Sequence, residues 1–139
     1  MILLDTNVVS ELMKSTPAPA VFGWVSRQAP GDLFISTISM AEILFGIELL
    51  PKGKRRDSLL REAETTFERD FAGRVLVFDE QAARAFASLV ASRRIRGRPI
   101  GIADGQIAAI ASCHQASLAT RDTGDFEGCG VRLVNPWEG

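Results

Sequence analysis

The chain contains no tyrosine and a single histidine, His114. Chemistry built on paired histidines is thereby excluded. A Ser-His-Asp or Cys-His arrangement would have to recruit a residue that lies in an Ala-rich helical pattern. The two cysteines, Cys113 and Cys129, are too few for a disulfide scaffold, and a reducing compartment would keep them as thiols. Cys113 beside His114 falls short of the four ligands that structural zinc requires. No apolar run reaches the roughly 18–20 residues of a membrane span, and no basic region with a cleavage site opens the sequence. The expectation is therefore a cytoplasmic protein with no membrane partner. The formal net charge is −1, so no global basic field draws in nucleic acid and any steering must be local. What the chain does have is 17 Asp and Glu residues within 139, a length that suits one domain over residues 1–139.

Short apolar runs alternate with helical patterns. Residues 2–5, 33–36, 74–78, 117–120 and 131–134 read as strands. Helices are expected from Asn7 to Met13, through Val21–Val25, and from Ser39 with Ile43, Leu44, Ile47 and Leu50 on one face. Further helices are expected from Lys52 to Phe71, from Asp79 or Glu80 to a C-cap at Gly97, and from Ile102 to Gln115. Strands alternating with helices argue for an α/β layer fold with a mainly parallel sheet.

Four acids fall at junctions between elements. Asp5 ends the first apolar run, Glu42 is expected in the first turn of the helix after the second strand, Asp104 in the first turn of the Ala-rich helix, and Asp122 follows the strand Leu118-Ala119-Thr120. In a parallel sheet, strand C-termini and the following helix N-termini share one edge, where ligands bind. Each acid also has a purely structural reading. Asp5 could cap a helix, Ser39-Met40-Ala41-Glu42 matches a capping box, Asp104 could favour a helix dipole, and Asp122-Thr123-Gly124 could be a turn. Four independent caps, however, need not share an edge. Converging carboxylates repel one another, and a hard divalent cation, Mg²⁺ or Mn²⁺, relieves that repulsion. Such a site suits phosphodiester hydrolysis.

The segments Met1-Ile2-Leu3-Leu4-Asp5-Thr6-Asn7, Ile38-Ser39-Met40-Ala41-Glu42-Ile43, Ile102-Ala103-Asp104-Gly105-Gln106-Ile107-Ala108-Ala109 and Thr120-Arg121-Asp122-Thr123-Gly124-Asp125-Phe126 occur in an informative order. With the tail Asn135-Pro136-Trp137, they make the chain resemble the PIN-domain nucleases. The likeness is to the VapC-type toxins of bacterial toxin–antitoxin pairs, in their FitB-like branch. It implies a five-stranded, mainly parallel sheet flanked by helices and Mg²⁺- or Mn²⁺-dependent endoribonuclease activity. It also implies a cognate antitoxin that blocks the site, contact with DNA only through that antitoxin, and a homodimer or dimer of dimers. Carried over by residue, Asp5, Glu42, Asp104 and Asp122 are the catalytic and metal-binding quartet. Thr6 and Thr120 orient the acids, and Asp125 is an accessory.

Arg121, between site residues, could bind substrate phosphate or pair with an acid. Arg98 belongs to a cluster with Arg93, Arg94 and Arg96 that reads equally as a solvated helix end or as phosphate guidance. Trp24, Phe45 and Met40 read as core, although the resemblance also makes Phe22 and Trp24 candidates for a partner-covered groove. Two rival functions stand beside the nuclease. One is an aspartyl-type phosphohydrolase, disfavoured because Asn7 sits where that motif needs a second acid. The other is a non-catalytic partner-binding module.

Overall fold

Strands buried between two helical layers must be apolar on both faces, and the central strands here are. The computed structural model describes residues 1–139. β1 (Ile2–Leu4), β2 (Leu33–Ser36), β3 (Val75–Leu76), β4 (Ser117–Ala119) and β5 (Leu133–Val134) form one sheet in the order β3-β2-β1-β4-β5. All four pairings are parallel, with Ile2 opposite both Leu33 and Ser117. The expected α/β fold with a five-stranded parallel sheet is borne out. The edge strands β3 and β5 are shorter than their apolar runs, because each ladder registers only two residue pairs. Strand order runs outward in both directions from β1, so the switch point of the sheet lies at the C-terminal end of β1, where Asp5 stands.

Side chains alternate across the sheet with period two. Leu4, Leu33, Ile35 and Ala119 join a core with α1 (Thr6–Leu12), α2 (Pro19–Ser26), α3 (Thr37–Glu48) and α4 (Lys54–Thr65). Leu3 and Leu118 face the opposite core with α5 (Glu80–Ile95) and α6 (Ile102–Cys113). α5 and α6 pack closely at Gly105, where an added Cβ would stand 2.8 Å from Val90 Cγ2 and 3.0 Å from Phe86 Cε2. No helix is long and apolar enough to cross a membrane.

Several local expectations change. The charged helix expected from Lys52 to Phe71 is α4 followed by a π-helical turn, Thr66–Asp70. The turn expected at Asp122-Thr123-Gly124 is instead the start of a short helix, α7 (Thr123–Phe126). Trp24 is core, but Phe45 is 64% exposed, because it points away from the Ile43 and Ile47 face of α3. Phe22 is 60% exposed on α2.

Candidate active site

The first strand delivers Asp5 to the sheet edge, and the backbone then turns straight into a helix. Asp5 is the N-cap of α1: its Oδ1 accepts from Thr6 N at 2.8 Å. Its Oδ2 accepts from the Thr120 hydroxyl at 2.7 Å. The capping reading of Asp5 is borne out, and it uses one oxygen only; the other is aimed by a residue from the end of β4. Thr120 is fully buried, and its oxygen also accepts from Asp122 N at 3.1 Å, so one hydroxyl sets two acids.

α3 begins earlier than expected. Ser36, not Ser39, is its N-cap, with the Ser36 hydroxyl accepting from Ser39 N at 3.1 Å. The capping box expected at Ser39–Glu42 does not form, and Glu42 lies in the second turn of α3. Its carboxylate accepts from the Thr6 hydroxyl at 2.7 Å. Thr6 has only one hydroxyl proton, so its 2.8 Å contact with Ser39 must run from Ser39 to Thr6. Ser36 approaches Ser39 at a longer 3.5 Å. A row of hydroxyls thus ends on Glu42, and Ser36 and Ser39 are both completely buried. Asp122 is held by Asn7 Nδ2 at 3.1 Å, which gives Asn7 an orienting task in place of a second acid.

Asp5, Glu42, Asp104 and Asp122 all line one cleft of about 480 Å³, with Thr6, Asn7, Lys14, Arg121 and Trp137. Asp125 and Arg98 lie outside it. They line a neighbouring cleft of about 400 Å³ that reaches Asp104 from the other side. Asp104 therefore belongs to both.

The clustering has an electrostatic cost. Burial, then the charges of Asp5, Asp125, Glu42 and Asp122, push the Asp104 carboxyl up to about 6. Burial raises Asp5 as well, against the bonds from Thr120 and Thr6 that favour its charged form. No three acid, His or Cys side chains close into a cage able to hold an ion directly. The donor set fits a hard cation that keeps much of its water, because it is all carboxylate, mutually repulsive and open to solvent. No nitrogen or sulfur ligand stands among the residues lining the cleft.

Asn7, Ser10, Glu11, Lys14 and Trp137 also line the cleft and were not anticipated from the sequence. Glu11 is buried, but Lys14 Nζ and Ala18 N, each at 3.0 Å, occupy its two oxygens and hold its carboxyl below the usual range. Trp137 lies under Arg121, whose guanidinium carbon is 5.0 Å from the ring centroid. The Asn135 side chain accepts from Trp137 N at 2.9 Å and so sets that turn. Arg98 pairs with Glu127 at 3.4 Å. Arg93 matches neither reading of the basic cluster, being buried and bonded to backbone carbonyls.

Comparison with known proteins extends the picture. The family described as PIN domain matches residues 2–128. "VapC ribonuclease Y4jK" of Sinorhizobium fredii is 46% identical over 138 residues, 99% of either chain. "Toxin FitB" of Neisseria gonorrhoeae is 41% identical over 137 residues, again 99% of either chain. Among solved structures, FitAB bound to an IR36 DNA fragment superposes with a TM-score of 0.91 at 41% identity, covering 99% of this chain and 96% of that one.

Proposed function

The chain belongs to the PIN-domain family, and on that premise we propose that it is a Mg²⁺- or Mn²⁺-dependent endoribonuclease, the toxin of a toxin–antitoxin pair, acting as one domain over residues 1–139. The observation that carries this reading is the convergence of Asp5, Glu42, Asp104 and Asp122 on one open cleft at the switch point of a parallel sheet. These four residues would hold the ion. When bound, it supplies an activated water and neutralises charge on the phosphate.

The chain's own residues do the rest. Thr120 and Thr6 hold Asp5 and Glu42 in place, and Asn7 holds Asp122. Asp104, whose proton affinity is raised, gains most from a cation beside it. Arg121, stacked on Trp137, presents a fixed positive charge to the RNA backbone. Hydrolysis leaves a 5′-phosphate and a 3′-hydroxyl.

A second groove of about 310 Å³ supports an antitoxin partner. Met13, Ile43, Ile47, Leu50 and Leu59 line it, and Thr6, Ser10, Lys14 and Glu42 are common to it and to the acidic cleft. An amphipathic helix seated there would cover the mouth of the cleft, and DNA would be reached only through that antitoxin. The relatives named VapC ribonuclease and Toxin FitB fit the same assignment, with the protein working as a homodimer or dimer of dimers.

The deciding experiment uses Asp5→Asn. Asn keeps an oxygen for the Thr6 cap, so the variant should fold while Mg²⁺-dependent cleavage of RNA disappears. A folded Asp5→Asn protein that cleaves as fast as the wild type would sink the assignment.

A further inference from the structure

Arg93 is 4% exposed at the last turn of α5, an unusual place for an unpaired cation. No carboxylate bonds to it. Its Nε donates to Arg98 O at 2.7 Å, in the connection that leads into α6 and Asp104. Its Nη1 donates to Asp125 O at 3.1 Å and to Glu127 O at 2.9 Å, and touches Cys129 Sγ at 3.1 Å. One guanidinium therefore ties together the two segments that form the walls of the smaller cleft beside Asp104. The loop it grips has little regular structure of its own, since α7 spans only Thr123–Phe126.

Burying a charge to satisfy carbonyls is expensive, and a helix end does not need it. Asp125 has no side-chain partner of its own, and it lines the smaller cleft together with Asp104 and Arg93. The group that decides where Asp125 stands is thus the one that holds its backbone.

We propose that Arg93 is a positioning residue that fixes Asp125 beside Asp104 by gripping the Asp125 and Glu127 carbonyls, making Asp125 a working fifth carboxylate of the site. This rests on the reading of the protein as a metal-dependent ribonuclease. Arg93 touches neither substrate nor ion; it acts through the loop.

The test combines Arg93→Lys, Asp125→Asn and the double variant, each checked for folding by circular dichroism. Lys keeps the charge but cannot span the carbonyls of both segments. Each single variant is expected to raise the Mg²⁺ midpoint of RNA cleavage about tenfold with KM for RNA unchanged, the scale typical of residues that orient metal ligands. The double variant should be no worse than Asp125→Asn alone. A double variant that multiplies the two losses, or a folded Arg93→Lys with the wild-type midpoint, overturns the inference.

Should Arg93→Lys fail to fold, the wild-type protein answers instead. The Arg93 Nε–H resonance should shift on Mg²⁺ titration of wild type and stay still in Asp125→Asn, and a still resonance in both overturns the inference. Absence of any Mg²⁺-dependent cleavage by wild type would strike the ribonuclease reading itself. The resonance would still report whether the loop responds to the ion.

Discussion

At the scale of single residues, Thr120 carries more than its size suggests. Thr120→Val keeps shape and burial but strips the bond from Asp5 Oδ2 and the acceptor for Asp122 N. Leaving such groups unpaired costs about 1–3 kcal/mol, so kcat should drop roughly 10- to 100-fold while KM for RNA holds, and Thr120→Ser should recover most of it. A Val variant with wild-type kcat would remove Thr120 from the site. Asp104 makes a different prediction. Its carboxyl titrates at about 6 in the fold against an ordinary 3.8. Between those values the folded protein keeps a proton that the unfolded chain has released. Stability therefore falls as pH rises through that window, and the penalty is complete above about 6. In metal-free protein, Asp104→Asn should melt higher than wild type at neutral pH, with the gap closing as the pH approaches 4. Equal melting curves at both ends would refute it. Asp5, Asp104 and Asp122 were legible in the sequence because each sits at an element junction, whereas Glu42 lies one turn further into α3 than its motif suggests. Ser39, Asn7 and Arg93 were not, because their partners lie 33, 115 and 32 residues away and only the fold brings them together.

At the scale of elements, the α5–α6 pair sets where Asp104 begins. Gly105 lets the two helices touch, and Gly105→Ala forces a methyl against Val90 and Phe86. Overpacking of this kind costs about 1–3 kcal/mol, against about 1 kcal/mol gained from the better helix former. Urea unfolding should show a net loss, and cleavage should weaken as Asp104 moves. Adding Val90→Ala to make room should restore both. Unchanged unfolding in Gly105→Ala would mean the helices part without cost. Helix periodicity revealed α3, α5 and α6 because apolar residues recur along one side of each, fully buried at Ile107 and Ile110 of α6 and only half-buried at Phe86, Leu89 and Val90 of α5. The start of α3 was misplaced by three residues, since Ser36 and Ser39 both look like caps and only the observed bond to Ser39 N separates them. The π-helical turn at Thr66–Asp70 carries no sequence signature, and its apolar residue Phe67 fits the helical pattern equally well.

At the scale of the whole molecule, alternation of strand and helix made the parallel α/β class readable, but strand order depends on pairings that no local pattern encodes. The groove beside the acidic cleft is a surface of this kind, assembled from α1, α3 and α4. Gly46 lines it, and a side chain added there meets nothing within 4 Å. Gly46→Arg should therefore fold at least as well as wild type and still cleave RNA, yet escape neutralisation by the antitoxin in a co-expression growth assay. Full rescue by the antitoxin would place the partner elsewhere. The order β3-β2-β1-β4-β5 has a further consequence in time. The middle strand is made first, but the neighbour that completes it, β4, begins at Ser117, and Asp5 waits 115 residues for Thr120. Translation at about 5–20 residues per second leaves the nascent chain for several seconds without Asp104, Asp122 or a closed sheet. A nascent chain that stops short of Ser117 accordingly lacks β4, the Thr120 hydroxyl that aims Asp5, and Asp122, so the carboxylate cluster can close only when synthesis is nearly done.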